Sequence, residues 1–132
     1  MSLKRVTPGE AVKRIAAKLE KDGVAKEPDW LAGVKTGSVR ERLPAKGFWP
    51  GRCAAVLRTI HLNGPVGVER LRNKFGGKKR HVVSSPHHGK GAGKMIRTAL
   101  QQLESAGLVE KKARGRVVTA KGMKFVDQAL KG

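Results

Sequence analysis

Lys94, Arg97, Thr98 and Gln101 recur at i, i+3, i+4 and i+7, the spacing that sets four side chains on one ridge of an α-helix. Two cations, a hydroxyl and an amide on one ridge suit phosphate, sugar and base-edge contacts alike. The opposite side of the same segment, residues 91–106, offers Ile96, Ala99, Leu100 and Leu103 to a core. An ordinary solvated face would carry similar residues, so the elements around the helix decide between the two readings.

Other groupings are weaker. Gly89-Lys90-Gly91-Ala92-Gly93-Lys94 has the look of a phosphate-binding loop, but His88 stands where that motif needs its first Gly and Met95 where it needs Ser or Thr. It reads better as a Gly-Lys loop that brings N–H groups and ammonium ions to a nucleic-acid backbone at a helix start. His81, His87 and His88 have no carboxylate or thiol near them between Asn73 and Leu103, so they predict RNA or water contacts and no metal site. Cys53 predicts a small core residue. Lys78-Lys79-Arg80, Lys111-Lys112 and the pair Arg114 and Arg116 are basic loop clusters. No Ser, His and Asp trio and no paired carboxylates stand out, which argues against an enzyme and against any cofactor.

The elements that would position these residues follow from periodicity. Thr7-Pro8-Gly9-Glu10 predicts a capping box, followed by a helix with Val12, Ile15, Ala16 and Leu19 as its apolar stripe and Lys13, Arg14, Lys18 and Lys21 on its other faces. Pro28-Asp29-Trp30 predicts a short helical turn, and residues 33–51 an irregular crossing segment. After Pro50 a second helix carries Cys53, Val56, Leu57 and Ile60 and closes at Asn63-Gly64-Pro65. Val68, Leu71 and Phe75 mark a short helix that Gly76-Gly77 ends, opening a basic loop. The helix over 91–106 ends at Gly107, with Leu108 placed as the hydrophobic partner of Leu103 in a Schellman cap. Strands over 108–112 and 116–119 flank a turn at Arg114-Gly115. Thr119 then caps a last helix with Met123, Val126 and Leu130 inward.

Helix, helix, loop, helix, hairpin, helix is the order of a winged helix-turn-helix, whose third helix is the one presented to nucleic acid. The expectation is one domain over 1–132: an N-terminal helix and crossing segment over 1–50, a winged-helix core over 51–119 and a C-terminal helix over 120–132.

Composition points the same way. Lys and Arg number 29 against 10 Asp and Glu, a formal charge of +19, which destabilises an isolated fold by self-repulsion and is neutralised by a polyanion. Between Gly51 and Leu100 the only acid is Glu69, set among Arg52, Arg58, Arg70, Arg72, Lys74, Lys78, Lys79, Arg80, Lys90, Lys94 and Arg97. With 39% apolar residues the chain can build a core. Three Phe, two Trp and no Tyr argue against a sheet on which bases stack. One cysteine excludes an internal disulfide and fits a reducing cytosol. No stretch reads as a signal peptide or a membrane span, so the expectation is a soluble intracellular protein.

The chain resembles the small-ribosomal-subunit protein nineteen-e family of archaea and eukaryotes. The residues that carry the likeness are Pro28-Asp29-Trp30, Arg52-Cys53-Ala54-Ala55 with Arg58, Gly64 to Val68 and on through Phe75-Gly76-Gly77, His87, Lys90-Gly91, Arg97, Leu100 to Glu104, Gly107 to Glu110, Gly115-Arg116, Thr119 and Gly122. The resemblance implies a mainly α fold, a helical bundle around a central helix containing a winged helix-turn-helix unit with a small antiparallel β-hairpin. It also implies a cytoplasmic ribosome component in the head of the small subunit that binds small-subunit ribosomal RNA, lies beside other small-subunit proteins as a monomer and supports subunit maturation. Arg52, Arg58 and Arg97 match basic positions on which family members depend for assembly. Phe48 stands where the family usually has Trp, Cys53 where it has Ala, and His88 where it has an aromatic.

The expected RNA-binding set is Arg52, Arg58, Lys78, Lys79, Arg80, His87, Lys90, Lys94, Arg97, Thr98, Gln101, Arg114 and Arg116, with no metal, no small-molecule substrate and no membrane. The rival is a winged-helix DNA-binding transcription regulator, which would confine its positive charge to one side; broad coverage favours folded RNA. In the second helix Arg58 is expected to face RNA, and Arg52 to serve either RNA or the fold.

Overall fold

The computed structural model describes residues 6–33, 48–79, 87–91 and 93–131. Arg80, His81 and most of the expected crossing segment lie outside these residues.

Helix α1 (Pro8–Lys21) buries Ala11, Ile15 and Leu19, the face its 3.6-residue period dictates. The expected capping box does not form. Thr7 is extended but makes no side-chain cap bond, and Glu10 bonds Arg14 at 2.5 Å instead of reaching back. The helix ends in a Schellman motif: Gly23 takes φ 72° and Val24 N–H donates to Leu19 C=O at 3.0 Å. A 3-10 turn (Asp29–Gly33) follows and buries Leu31.

Helix α2 (Phe48–Asn63) begins before the expected start, because Pro50 falls in the first turn, where no intrahelical N–H partner is needed. It packs against α1, a later helix and a later strand. Trp49, Cys53, Ala54, Val56, Leu57, Thr59 and Ile60 are all buried, so it is apolar round most of its circumference, as a central helix must be. The Thr59 hydroxyl donates to Ala55 C=O at 2.8 Å.

The winged unit is built on α2. Val66 makes a single antiparallel bridge to Arg116, then come α3 (Val68–Lys74), α4 (Gly93–Ser105) and two strands. Between α3 and α4 the expected loop is instead a hairpin, β1 (Gly77–Lys79) paired antiparallel with β2 (His87–Gly89); three-residue polar strands carry no alternating apolar signal. Gly91 is clamped to α3, its N–H donating to Arg72 C=O at 2.8 Å and its C=O accepting from Arg72 Nε at 3.0 Å. A Cβ on Gly91 would lie 3.0 Å from Phe75 C=O, and α4 starts two residues later than expected.

The end of α4 is as expected: Leu108 N–H donates to Leu103 C=O at 3.0 Å, and both side chains are buried. Strands β3 (Val109–Lys112) and β4 (Gly115–Val118) pair from Val109↔Val118 to Lys112↔Gly115. The turn is therefore Ala113-Arg114, one residue earlier than expected, and Gly115 belongs to the strand.

Helix α5 (Ala120–Lys131) is capped by Thr119, whose Oγ accepts from Gly122 N–H at 3.1 Å and donates to Gly107 C=O at 2.6 Å. Val126 and Leu130 are buried, but Met123 is 50% exposed. The true stripe is Gly122, Phe125, Val126, Ala129 and Leu130, because Gly122 lies against the Leu108 carbonyl and Val118, where a side chain has no room. Arg14 and Lys18, expected on solvated faces, instead dock this helix. Arg14 Nη1 donates to Leu130 C=O at 2.7 Å; Lys18 Nζ donates to Gln128 at 2.7 Å and sits 4.9 Å from the Phe125 ring centroid.

Candidate nucleic-acid interface

Helix α4 separates its two chemistries sharply. Met95, Ile96, Ala99, Leu100 and Leu103 are buried, in contact with α2 and α3. Lys94, Arg97 and Gln101 are exposed and Thr98 is half-buried, so the ridge read from the sequence exists as one surface. Lys94 Nζ sits 4.6 Å from the centre of the Trp30 ring. Arg97 forms no hydrogen bond or ion pair among the described residues. It lies back over the first turn of the helix, where a Cβ on Gly93 would come within 2.9 Å of its Nη1.

On α2 the two arginines differ. Arg52 is half-buried, its guanidinium carbon 4.9 Å from the centre of the Phe48 ring and 4.5 Å from that of Phe75. It therefore links the start of α2 to the end of α3 through cation–π contacts. Phe48 is the ring that meets Arg52, whereas Trp49 is a core residue whose Nε1 donates to Gln102 Oε1 at 3.0 Å. Arg58 is half-buried with its Nε out of water and without a hydrogen-bond partner among the described residues, and His61 Nδ1 one turn on is in the same state. A buried donor that the fold leaves unused is uncommon.

Elsewhere the basic residues divide between free and engaged. Lys90 Nζ bonds Glu69 at 2.6 Å, and Arg72 bonds the same carboxylate at 3.0 Å; these two hydrogen bonds hold Glu69 below the usual carboxylate range. Lys78, Lys79 and His87 fall on the β1–β2 hairpin, with Lys79 opposite His87. Arg114 is exposed at the tip of the β3–β4 wing. Arg116 does not join it: its Nε bonds Glu104 at 2.8 Å, only 18% of its side chain is exposed, and it ties β4 to α4. Lys26, Arg70, Lys74, Lys111, Lys121 and Lys124 are exposed cations outside the expected set; charge alone could not rank them.

The sequence reading missed Gln102. It lies one position off the polar ridge, at the border of the apolar face, and its carboxamide is a junction. Oε1 accepts from Trp49 Nε1 and from Lys26 N–H at 3.2 Å, while Nε2 donates to Lys26 C=O at 2.7 Å. The segment after α1 is thereby strapped beside α4, leaving a groove of about 370 Å³ between them.

Cys53 is buried, and burial pushes its thiol up to about 12, partly opposed by the charge of Arg52. Among the described residues no cluster of His, Cys, Asp or Glu has the makings of a metal site, and no helix is long and apolar enough to cross a membrane.

The chain is similar to known proteins along almost all of its length. The family model for ribosomal protein S19e matches residues 2–132. The small ribosomal subunit protein eS19 of Thermoplasma volcanium is 34% identical, the match covering 99% of this chain and 88% of the relative. That of Haloarcula marismortui is 41% identical over 92% of this chain and 84% of its own. Small ribosomal subunit protein eS19G of Ascaris suum is 38% identical over 96% and 88%.

Proposed function

Because the chain belongs to the ribosomal protein S19e family, we propose that it is a structural, non-enzymatic constituent of the small subunit of the cytoplasmic ribosome, that it binds small-subunit ribosomal RNA and that it supports maturation of that subunit. Its partners are that RNA and the neighbouring small-subunit proteins. Contact is led by phosphate and shape, with Arg58, Lys94, Arg97, Thr98, Gln101 and Arg114 as direct contacts and the β1–β2 hairpin, with Lys78, Lys79, His87 and the adjoining Lys90, as a second basic element; Arg80, outside the described residues, is proposed to add to it. Arg52 and Arg116 hold the surface in place.

The observation that carries this reading is Arg97: exposed, cationic and without a hydrogen bond or ion pair among the described residues, on the face of α4 that the core leaves free. A DNA-binding regulator would lay that face into a major groove; no observation favours that rival.

Co-sedimentation with small subunits through a sucrose gradient tests the proposal, paired with a salt titration of RNA binding. With roughly eight phosphates neutralised, affinity falls by about three to five orders of magnitude between about 50 and 200 mM salt. A binding constant that hardly moves would refute phosphate-led recognition.

A further inference from the structure

Lys26, Thr98, Gln101, Gln102 and Ser105 line the groove between the turn that ends α1 and the polar side of α4, and we infer that this groove seats one unpaired ribonucleotide of the bound RNA. The inference rests on the RNA-binding reading and adds to it a place where a base is held in addition to the backbone.

Size comes first. About 370 Å³ is at the small end of ligand sites, which run from about 300 to 1,000 Å³. One nucleotide fits; a stretch of duplex does not.

The lining gives the chemistry. All five side chains carry N–H or O–H donors and none is a carboxylate. Gln102 is already bonded on both ends of its carboxamide, so it is a wall whose position the fold sets in advance, which lowers the ordering cost of binding. Thr98, Gln101, Ser105 and the Lys26 ammonium make no hydrogen bond among the described residues, and they remain to meet a ligand.

Polarity sets the orientation. Toward the start of α4 the ridge supplies Lys94 and Arg97, both exposed. At its other end the groove meets the C-termini of two helices, α1 at Gly23 and α4 at Ser105 and Ala106. Helix C-termini carry partial negative charge, which repels phosphate and attracts N–H edges. A nucleotide has that sequence of charge along its length: anionic phosphate, ribose hydroxyls, then a base with N–H donors. A base in a duplex is stacked and paired, so the occupant comes from a bulge or loop, the element that sequence-specific RNA recognition generally uses.

The test compares binding of the full chain to a fully paired RNA hairpin and to the same hairpin with a single-nucleotide bulge, at fixed salt. The emission of Trp30 and Trp49 reports occupancy, since Lys94 covers one and Gln102 bonds the other. The bulged hairpin binds about tenfold tighter, the scale of one or two added hydrogen bonds. Ser105→Leu fills the groove and abolishes that preference, leaving affinity for the paired hairpin and its salt dependence as they were; Ser105→Met, a more flexible side chain at the same exposed position, provides a second filling variant should the first misfold. A preference that survives groove filling overturns the inference. So does a filled variant that enters subunits poorly with its RNA preference intact, which would hand the groove to a segment of a neighbouring protein. If the unaltered chain binds neither hairpin and fails to enter subunits, the RNA-binding reading itself falls, an outcome distinct from the other two.

Discussion

Gly115→Ala removes the freedom on which the wing's attachment depends. Gly115 has φ 133°, and an added Cβ would lie 2.7 Å from the Val66 carbonyl carbon, 2.8 Å from its oxygen and 3.0 Å from Gly67 N. All three neighbours are backbone, so no rotamer change relieves the contact. The conformation itself costs about 1–3 kcal/mol for a residue with a Cβ. Pushing Val66 away also breaks its two bonds with Arg116, N–H to C=O at 3.2 Å and 3.0 Å, at about 1 kcal/mol each. The sum is about 3–5 kcal/mol, a large part of the roughly 5–15 kcal/mol that holds a domain folded. For a chain of this length each kcal/mol shifts Tm by about 3–5 °C, so the variant melts roughly 10–25 °C lower, and the Val66 and Arg116 amides lose protection from hydrogen exchange. Gly51→Ala is the control: its Cβ meets nothing within 4 Å, it lies inside α2, and it gains about 0.5–1 kcal/mol. If Gly115→Ala melts within about 2 °C of the parent, both the strain and the bridge have been misjudged.

Arg97→Glu keeps its helicity and melting temperature but enters small subunits poorly in gradient fractions; a variant that fails to fold would make Arg97 structural. Arg52→Ala loses about 1–2 kcal/mol through its two ring contacts, whereas Arg58→Ala stays near native stability, having removed a buried donor with no partner among the described residues, and loses incorporation; equal, large losses in denaturant melts would contradict this. The Cys53 thiol ionises near about 8.5 when unfolded and only near about 12 when folded. Its contribution is therefore complete below the unfolded value and fades as pH rises through that interval, by up to about 1.4 kcal/mol per pH unit. Cys53→Ala flattens that decline in denaturant titrations at successive pH values, and parallel slopes in the two proteins would refute it.

What the sequence made legible was whatever periodicity encodes. The α4 ridge and core, the inward face of α2 and the Leu103–Leu108 cap each follow from spacing plus a glycine stop, and each is found in place. Features set by distant partners were not legible. Glu10 had two possible partners, and Arg14 won over the Thr7 backbone. Met123 matched the period of α5 as well as Gly122 did, until the Leu108 carbonyl fixed which line of the helix faces inward. Arg116 looked as available as Arg114, since nothing local says that Glu104 lies within 2.8 Å of it. Gln102 was hidden for the same reason: its importance comes from Lys26, 76 residues away.

The union of α1 with α5 bears on how the chain is made. Arg14 is joined to the Leu130 carbonyl across 116 positions, and Lys18 to Gln128 across 110. Synthesis at roughly 5–20 residues per second leaves the flank of α1 that carries these two cations without its cover for roughly 6–20 s. Once α2 has been made the helix has it to pack against, but two basic side chains still seek acceptors. A nascent chain in this condition presents α1 to the surrounding polyanions, and translation of α5 withdraws the offer.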